Sequence, residues 1–347
     1  EMGRGAGGRS GTRHVKEFPG LHINHGAPLF HVPTSDLDTA PLISALISSR
    51  YLLEWHGTYG RIDFKTGAIS SGGASRGELE IGTRDFKRYT GAPYMSSVAR
   101  GCIQLAKDAD GENLQTHFAV RVKDIIPQRN EDGVLEGWEI RGQDGKSFGV
   151  FDYIVASGAT PALDRWRAGF KEEPPVYVAA QSSGTQLFPT LLTRLDRPLD
   201  YEQTHIVSLA WDVTRDENSI KQNLAKLGFD ITEVEGDESL AKVILQSVGP
   251  TYAVVVLHST AAFARKHKKV KGAGSFVSVA NNVEGSIDEE AQVANELFKA
   301  LQDLLARSGA AQLPKPTWGP ALHRWGAAFP KPQLGDLSQD RTWVLSN

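Results

Sequence analysis

The chain is nearly without sulfur: Cys102 is its single cysteine, and Met2 and Met95 are its two methionines. One thiol excludes an internal disulfide framework and a multi-cysteine metal site. It also fits a reducing compartment. Long apolar runs are missing too. The longest, such as Tyr252–Leu257, have the length of a strand, far short of the roughly 18 residues a membrane-spanning helix needs. Charge of one sign is absent as well. The net charge is −3, so the basic footprint of a nucleic-acid-binding protein is missing and no such partner is expected. No repeat of solenoid or propeller period occurs. No basic-then-apolar leader opens the chain. Residue 1 is Glu, and the translated start is therefore expected elsewhere.

What is present is an ordinary globular composition. Of 347 residues, 40% are hydrophobic and 23% charged. A chain of that size buries a large core unaided and is expected to form two domains or two lobes. Residues 41–53 read as an amphipathic helix with Pro41 near its start. Val98, Cys102 and Leu105 recur at helical spacing, which makes Cys102 a small buried apolar residue. His117 to Ile126 alternates as a strand. Gly137–Ile140 and Phe148–Ala156 add two more around a turn at Asp144-Gly145, completing a meander. The run Tyr153–Ala156 reads as a strand buried on both faces. Thr204–Val213 and Tyr252–Ser259 are further strands. A helix lies around Asn218–Leu227, closed by Gly228. Ile287–Arg307 is the clearest helix, with Ser286 and Glu289 at capping-box spacing and one apolar stripe. Strands and helices alternate irregularly, so the expected class is mixed α/β, or α+β.

The chemistry concentrates in the opening segment, E-M-G-R-G-A-G-G-R-S-G-T-R. Paired glycines let backbone approach a bulky ligand closely. Arg9, directly after Gly7-Gly8, can set a planar, permanently charged fork on a phosphate. Glu1 ahead of them suits a ribose diol, as in dinucleotide folds. The simpler reading, a Gly/Arg-rich surface loop, stays open on composition alone.

This segment resembles the second βα element of renalases and related FAD-dependent amine oxidases. The likeness continues through N-H-G-A-P-L-F at Asn24–Phe30 and R-Y-T-G-A-P-Y-M-S-S at Arg88–Ser97. F-D-Y-I-V-A-S at Phe151–Ser157, V-L-H-S-T at Val256–Thr260 and H-R-W-G-A-A at His323–Ala328 follow in family order. The opening run is similar to plant and algal members, which implies a chloroplast as the expected address. The resemblance implies an FAD-dependent oxidoreductase that oxidises a reduced nicotinamide isomer or an amine. It implies Glu1 at the FAD ribose, and Gly7, Gly8 and Arg9 along the pyrophosphate and flavin. Thr12 and Arg13 extend that surface, Gly26 and Ala27 pass near the flavin ring, and Val122 meets the adenine through its backbone. It also implies an incomplete Rossmann-like FAD-binding domain from residues 1–36, 96–161 and 324–347. A substrate domain with a mixed or antiparallel sheet takes residues 37–95 and 162–323.

The chain departs from the family at several points. Asn24 replaces an Asp, Tyr94 a Gly, and Ser96 a common Asn. No G-x-G-x-x-G turn precedes Glu1, and the chain stops at Trp343–Asn347, about where the family's closing segment is expected to begin. Two expectations compete: a portion of a longer flavoprotein, or a cofactor-free member serving as a non-catalytic interaction subunit of a larger assembly. Among the other candidates, His323 either faces a substrate cavity or packs on Trp325. His258 ends a strand as a core or rim histidine. His22 and His25 lack a third ligand at recognisable spacing, so no metal is expected. Arg265, Lys266, Lys268, Lys269 and Lys271 form a basic cluster, read as a solvated loop or as a docking patch for an acidic partner.

Overall fold

The computed structural model describes residues 1–36, 38–71, 86–110, 113–157, 161, 164–183, 201–214, 217–248, 251–270 and 286–330. The fold is mixed α/β of the α+β kind, organised around a seven-stranded sheet. From one edge to the other that sheet runs β15 (Trp318–Pro330), β11 (Tyr201–Asp212), β14 (Tyr252–Ser259), β13 (Leu240–Val248), β12 (Ile231–Glu235), β5 (Tyr59–Asp63) and β6 (Ile69–Ser71). Neighbours pair antiparallel except β12 and β5, which run parallel.

Side chains alternate across a strand, so each strand of this sheet faces two environments. Val207, Leu209, Trp211, Val243, Val255 and Leu257 point to one face, where helix α7 (Ile287–Arg307) and helix α5 (Glu217–Ala225) cover them. Ile206, Ala210, Ile244, Val254 and Val256 point to the other, where Val15, Leu21 and Ile23 pack. Both faces are covered. The apolar run Tyr252–Leu257 is therefore buried throughout, although such runs are more usual in parallel sheets.

Helix α7 spans the residues its pattern predicts. Ser286 accepts the Glu289 N–H at 3.3 Å. Asp288, Glu289 and Glu290 occupy the first turn and Arg307 the last, complementing the helix dipole. Val293, Leu297, Leu301, Leu304 and Leu305 form the buried stripe. Gly309, at φ 74°, turns the chain away in a conformation few other residues adopt. Ser286→Ala removes the cap acceptor and is expected to lower stability by about 1 kcal/mol. Urea denaturation checks this, and a loss below about 0.3 kcal/mol would show that solvent caps the helix equally well.

Three smaller sheets complete the fold. A hairpin joins β1 (Thr12–His14) and β2 (His22–Asn24). Strands β3 (Phe30–Pro33), β7 (Phe86–Gly91) and β4 (Leu52–Glu54) make a second sheet, with α1 (Ala40–Ser48) and α2 (Ser96–Asp110) against it. Strands β8 (Val122–Arg129), β9 (Leu135–Gly142) and β10 (Ser147–Phe151) form the expected meander. Helix α4 (Pro175–Ser182) packs on β8, α3 (Asp164–Phe170) precedes it, and α6 (Ala261–Lys266) follows β14.

Several sequence expectations are corrected. The helix expected over 41–53 stops at Ser48. Arg50 takes φ 60°, and the chain re-enters as β4 because Leu52–Glu54 finds a ladder on β7. The strand expected from His117 begins only at Val122. Tyr153 and Val155, read as buried on both faces, are 84% and 88% exposed. Among the described residues no strand pairs with 152–157, and none of them buries that apolar run. Cys102 is half-buried, and that burial raises its thiol above the ordinary range. No helix among the described residues is long and apolar enough to cross a membrane.

Candidate cofactor-facing site

The opening segment folds into a tight turn. Gly7 adopts φ 136° and Gly8 φ 51°, values that side chains resist. A short 3-10 turn over Gly8–Ser10 follows, closed by Ser10 N–H to the Gly7 carbonyl at 2.8 Å. A Cβ on Gly8 would meet nothing within 4 Å, and the same holds at Gly5. Backbone at both glycines therefore opens onto space a ligand could enter.

The turn is seated on Gly26 and Ala27. The Ala27 N–H donates to the Arg9 carbonyl at 2.8 Å. A Cβ on Gly26 would lie 1.8 Å from that same oxygen. Glycine stands at position 26 because another stretch of backbone crosses there. Its φ is unremarkable, and space alone makes the demand.

Thr12 ties three segments together. Its hydroxyl donates to Asn24 Oδ1 at 2.8 Å and accepts the Ser96 N–H at 3.1 Å. Asn24 Oδ1 also accepts the Met95 N–H at 3.1 Å, and the Asn24 N–H donates to Gln246 Oε1 at 3.1 Å. Together these bonds dock the hairpin on the start of α2 and on β13. The acceptor at position 24 needs only an oxygen, which an amide supplies as a carboxylate would.

Glu1 is bonded to the segment that leads into Val122. Val120 N–H donates to the Glu1 carbonyl at 3.0 Å and Ala119 N–H to the Gly3 carbonyl at 2.8 Å, two residues before β8 begins. The Glu1 carboxylate accepts the Gly3 N–H at 2.7 Å.

Arg13 lies on the far side of the turn, its guanidinium 5.8 Å from the Trp318 ring centroid. Burial first, then the charge of Arg4, presses its pKa down. Two positive charges near the open glycine turn make a favourable field for an anion.

Against Arg13 stands an aromatic wall that sequence spacing did not connect. His25 and His323 meet at 4.8 Å between centroids, Trp325 stacks on His25 at 6.0 Å, and His323 lies 4.7 Å from Trp325. The Trp325 indole N–H donates to the His25 carbonyl at 3.0 Å. Burial, then the Arg13 charge, lowers His25 to about 4, the Ile23 carbonyl opposing. Burial, then His25 and Arg13, lowers His323 to about 3. Both rings are therefore neutral at pH 7. They can share a hydrogen bond with a planar polar ligand without presenting a charge.

His258 sits on the same face of the seven-stranded sheet, opposite Ile206 on one side and Lys242 on the other. Burial and the Lys242 charge lower it to about 3, and its Nε2 has no hydrogen-bond partner among the described residues. Beyond it Lys242 lies 3.8 Å from Glu233, which also meets Arg61 at 3.5 Å and the Tyr59 hydroxyl. Tyr94 packs its ring on His14 and His22 at 5.1 and 4.7 Å, away from the glycine turn. Lys268 and Lys269 are exposed beyond α6, as are Arg265 and Lys266 at its end; Lys271 lies outside the described residues.

The residues suit a dinucleotide in part. Open glycine backbone and clustered guanidinium groups match a pyrophosphate, and the neutral aromatic wall matches a flat ring.

No protein-family model matches the chain, and no curated protein matches it in sequence. Among solved structures, it is similar to a redesigned putrescine oxidase double mutant at 10% identity, covering 93% of this chain and 78% of that one, TM-score 0.47. It is similar to the Diels-Alderase PyrE3 of pyrroindomycin biosynthesis at 11% identity, covering 85% and 46%, TM-score 0.40. It is also similar to PqsL, a probable FAD-dependent monooxygenase from Pseudomonas aeruginosa, at 13% identity, covering 79% and 61%, TM-score 0.34. The chain thus spans about half the length of PyrE3 and 61% of PqsL.

Proposed function

We propose that this chain forms part of an FAD-dependent oxidoreductase of the renalase and amine-oxidase type, acting on a reduced nicotinamide isomer or an amine. The observation that carries the reading is the Gly7–Gly8–Arg9 turn seated on Gly26–Ala27. Two segments, each with a family-like motif, meet there around open glycine backbone.

Bound FAD would supply the hydride acceptor. Gly7, Gly8 and Arg9 would hold the pyrophosphate with Arg13 behind them, and Glu1 and Val122 would flank the adenosine. Thr12, through Asn24 and Ser96, keeps the hairpin in place. Gly26 and Ala27 hold the turn against the wall of His25, His323 and Trp325. Neutral imidazoles orient a flat substrate there and, unprotonated, do not repel a cationic amine.

The test is a visible absorbance spectrum of the natively sourced protein, followed by titration of flavin-free protein with FAD. Flavin bands and saturable quenching of flavin fluorescence are expected. Arg9→Ala is expected to weaken FAD by about tenfold, the loss of one charge-assisted contact of roughly 1.5 kcal/mol. Protein that carries no flavin and binds none would end this reading. It would leave the second one, a non-catalytic interaction subunit, which the exposed Tyr153 and Val155 favour.

A further inference from the structure

The hairpin that carries Thr12 and Asn24 also brings two histidines face to face. His14 and His22 stand directly opposite each other on β1 and β2. Their Nδ1 atoms are 2.7 Å apart, with ring planes at 75° and centroids at 4.6 Å. The sequence considered His22 with His25, its near neighbour. The fold separates those two: His25 faces His323 and Trp325, while His22 faces His14 and Tyr94.

We propose that His14 and His22 form a two-histidine chelate for a divalent transition-metal ion of tetragonal preference, Cu(II) or Ni(II), bound through both Nδ1 atoms. The observed 2.7 Å is the length of an imidazole hydrogen bond, so the two nitrogens already lie within the span of one ion. The ligand type chooses the metal: imidazole nitrogens completed by water suit Cu(II) and Ni(II), and Cu(II) heads the divalent affinity order. Without metal, the contact holds as one imidazole N–H donating to the other ring; an ion takes the place of that shared proton.

The pair is preorganised. The next rung but one, Thr12 opposite Asn24, is bonded to the start of α2, and Tyr94 packs on both imidazoles. Water fills the remaining coordination positions, since no third His, Cys, Asp or Glu joins the pair among the described residues. Binding cross-links the two strands, so it should stabilise the folded chain by mass action.

The experiment is calorimetric titration of the tag-free full chain with CuCl2, with electron paramagnetic resonance of the one-equivalent sample. One saturable equivalent with a tetragonal, two-nitrogen signature is expected. His22→Ala and His14→Gln should each weaken that equivalent by about tenfold or more. An equivalent that survives both substitutions unchanged, or no saturable equivalent at all, overturns the proposal. A measurement that needs no variant is the thermal midpoint of the unaltered chain with one equivalent of CuCl2. The midpoint should rise, and a midpoint that does not move counts against the site.

Discussion

Replacing Gly26 with alanine is expected to unseat the amino-terminal turn and to cost about 3 kcal/mol of stability. The added Cβ would lie 1.8 Å from the Arg9 carbonyl oxygen and 2.8 Å from its carbon. Neither atom belongs to a flexible side chain, so backbone must move. Overpacking of that kind costs about 1–3 kcal/mol, and losing the Ala27 N–H bond to Arg9 adds about 1 kcal/mol. Hydrogen exchange reads the effect locally: the Ala27 amide should lose protection while the α7 amides keep theirs. Equilibrium unfolding reads it globally. A change within about 0.5 kcal/mol, with Ala27 still protected, would mean the turn does not rest on Gly26. On the flavoprotein reading the same variant also loses FAD affinity, because Gly7, Gly8 and Arg9 move with the turn.

Acidification from pH 7 to pH 5 is expected to destabilise the fold steeply. His25 titrates at about 4 in the folded chain, and His258 and His323 at about 3, against 6.5 for an unburied histidine. The unfolded chain therefore binds protons that the folded chain refuses. Stability is fully present above pH 6.5 and falls as pH drops toward the folded values. Each such histidine contributes a slope of about 1.4 kcal/mol per pH unit, so the three together approach about 4 kcal/mol per unit near pH 5. Asp63, Glu139 and Glu173, held low chiefly by side-chain hydrogen bonds from Thr66, Arg141 and Arg167, steepen the loss at still lower pH. Urea unfolding at pH 7.5, 6.0 and 5.0 measures the slope. His258→Phe should remove about one proton's worth of it. A stability that stays level over this range would show that these imidazoles accept protons in the folded state.

Local signals wrote much of this fold into the sequence. The cap at Ser286, the stripe from Val293 to Leu305 and the stop at Gly309 lie within one helix, and each acts over a few residues. The spacing of Val98, Cys102 and Leu105 located α2 in the same way. Where the sequence failed, the deciding contact was remote. Leu52–Glu54 left the preceding helix because β7 offered a ladder. Tyr153–Ala156 has the composition of a core strand, yet a strand is buried only if neighbours cover it.

The sequence by itself determined the glycine turn, its arginines and helices α2, α5 and α7, because backbone conformation and amphipathic spacing are properties of neighbouring residues. Only the tertiary structure decided which histidines face each other. His25 found His323 across some three hundred residues, and His22 found His14 across a hairpin. Those pairings depend on strand register and on which face each side chain takes, and a register shift of one residue would reverse both.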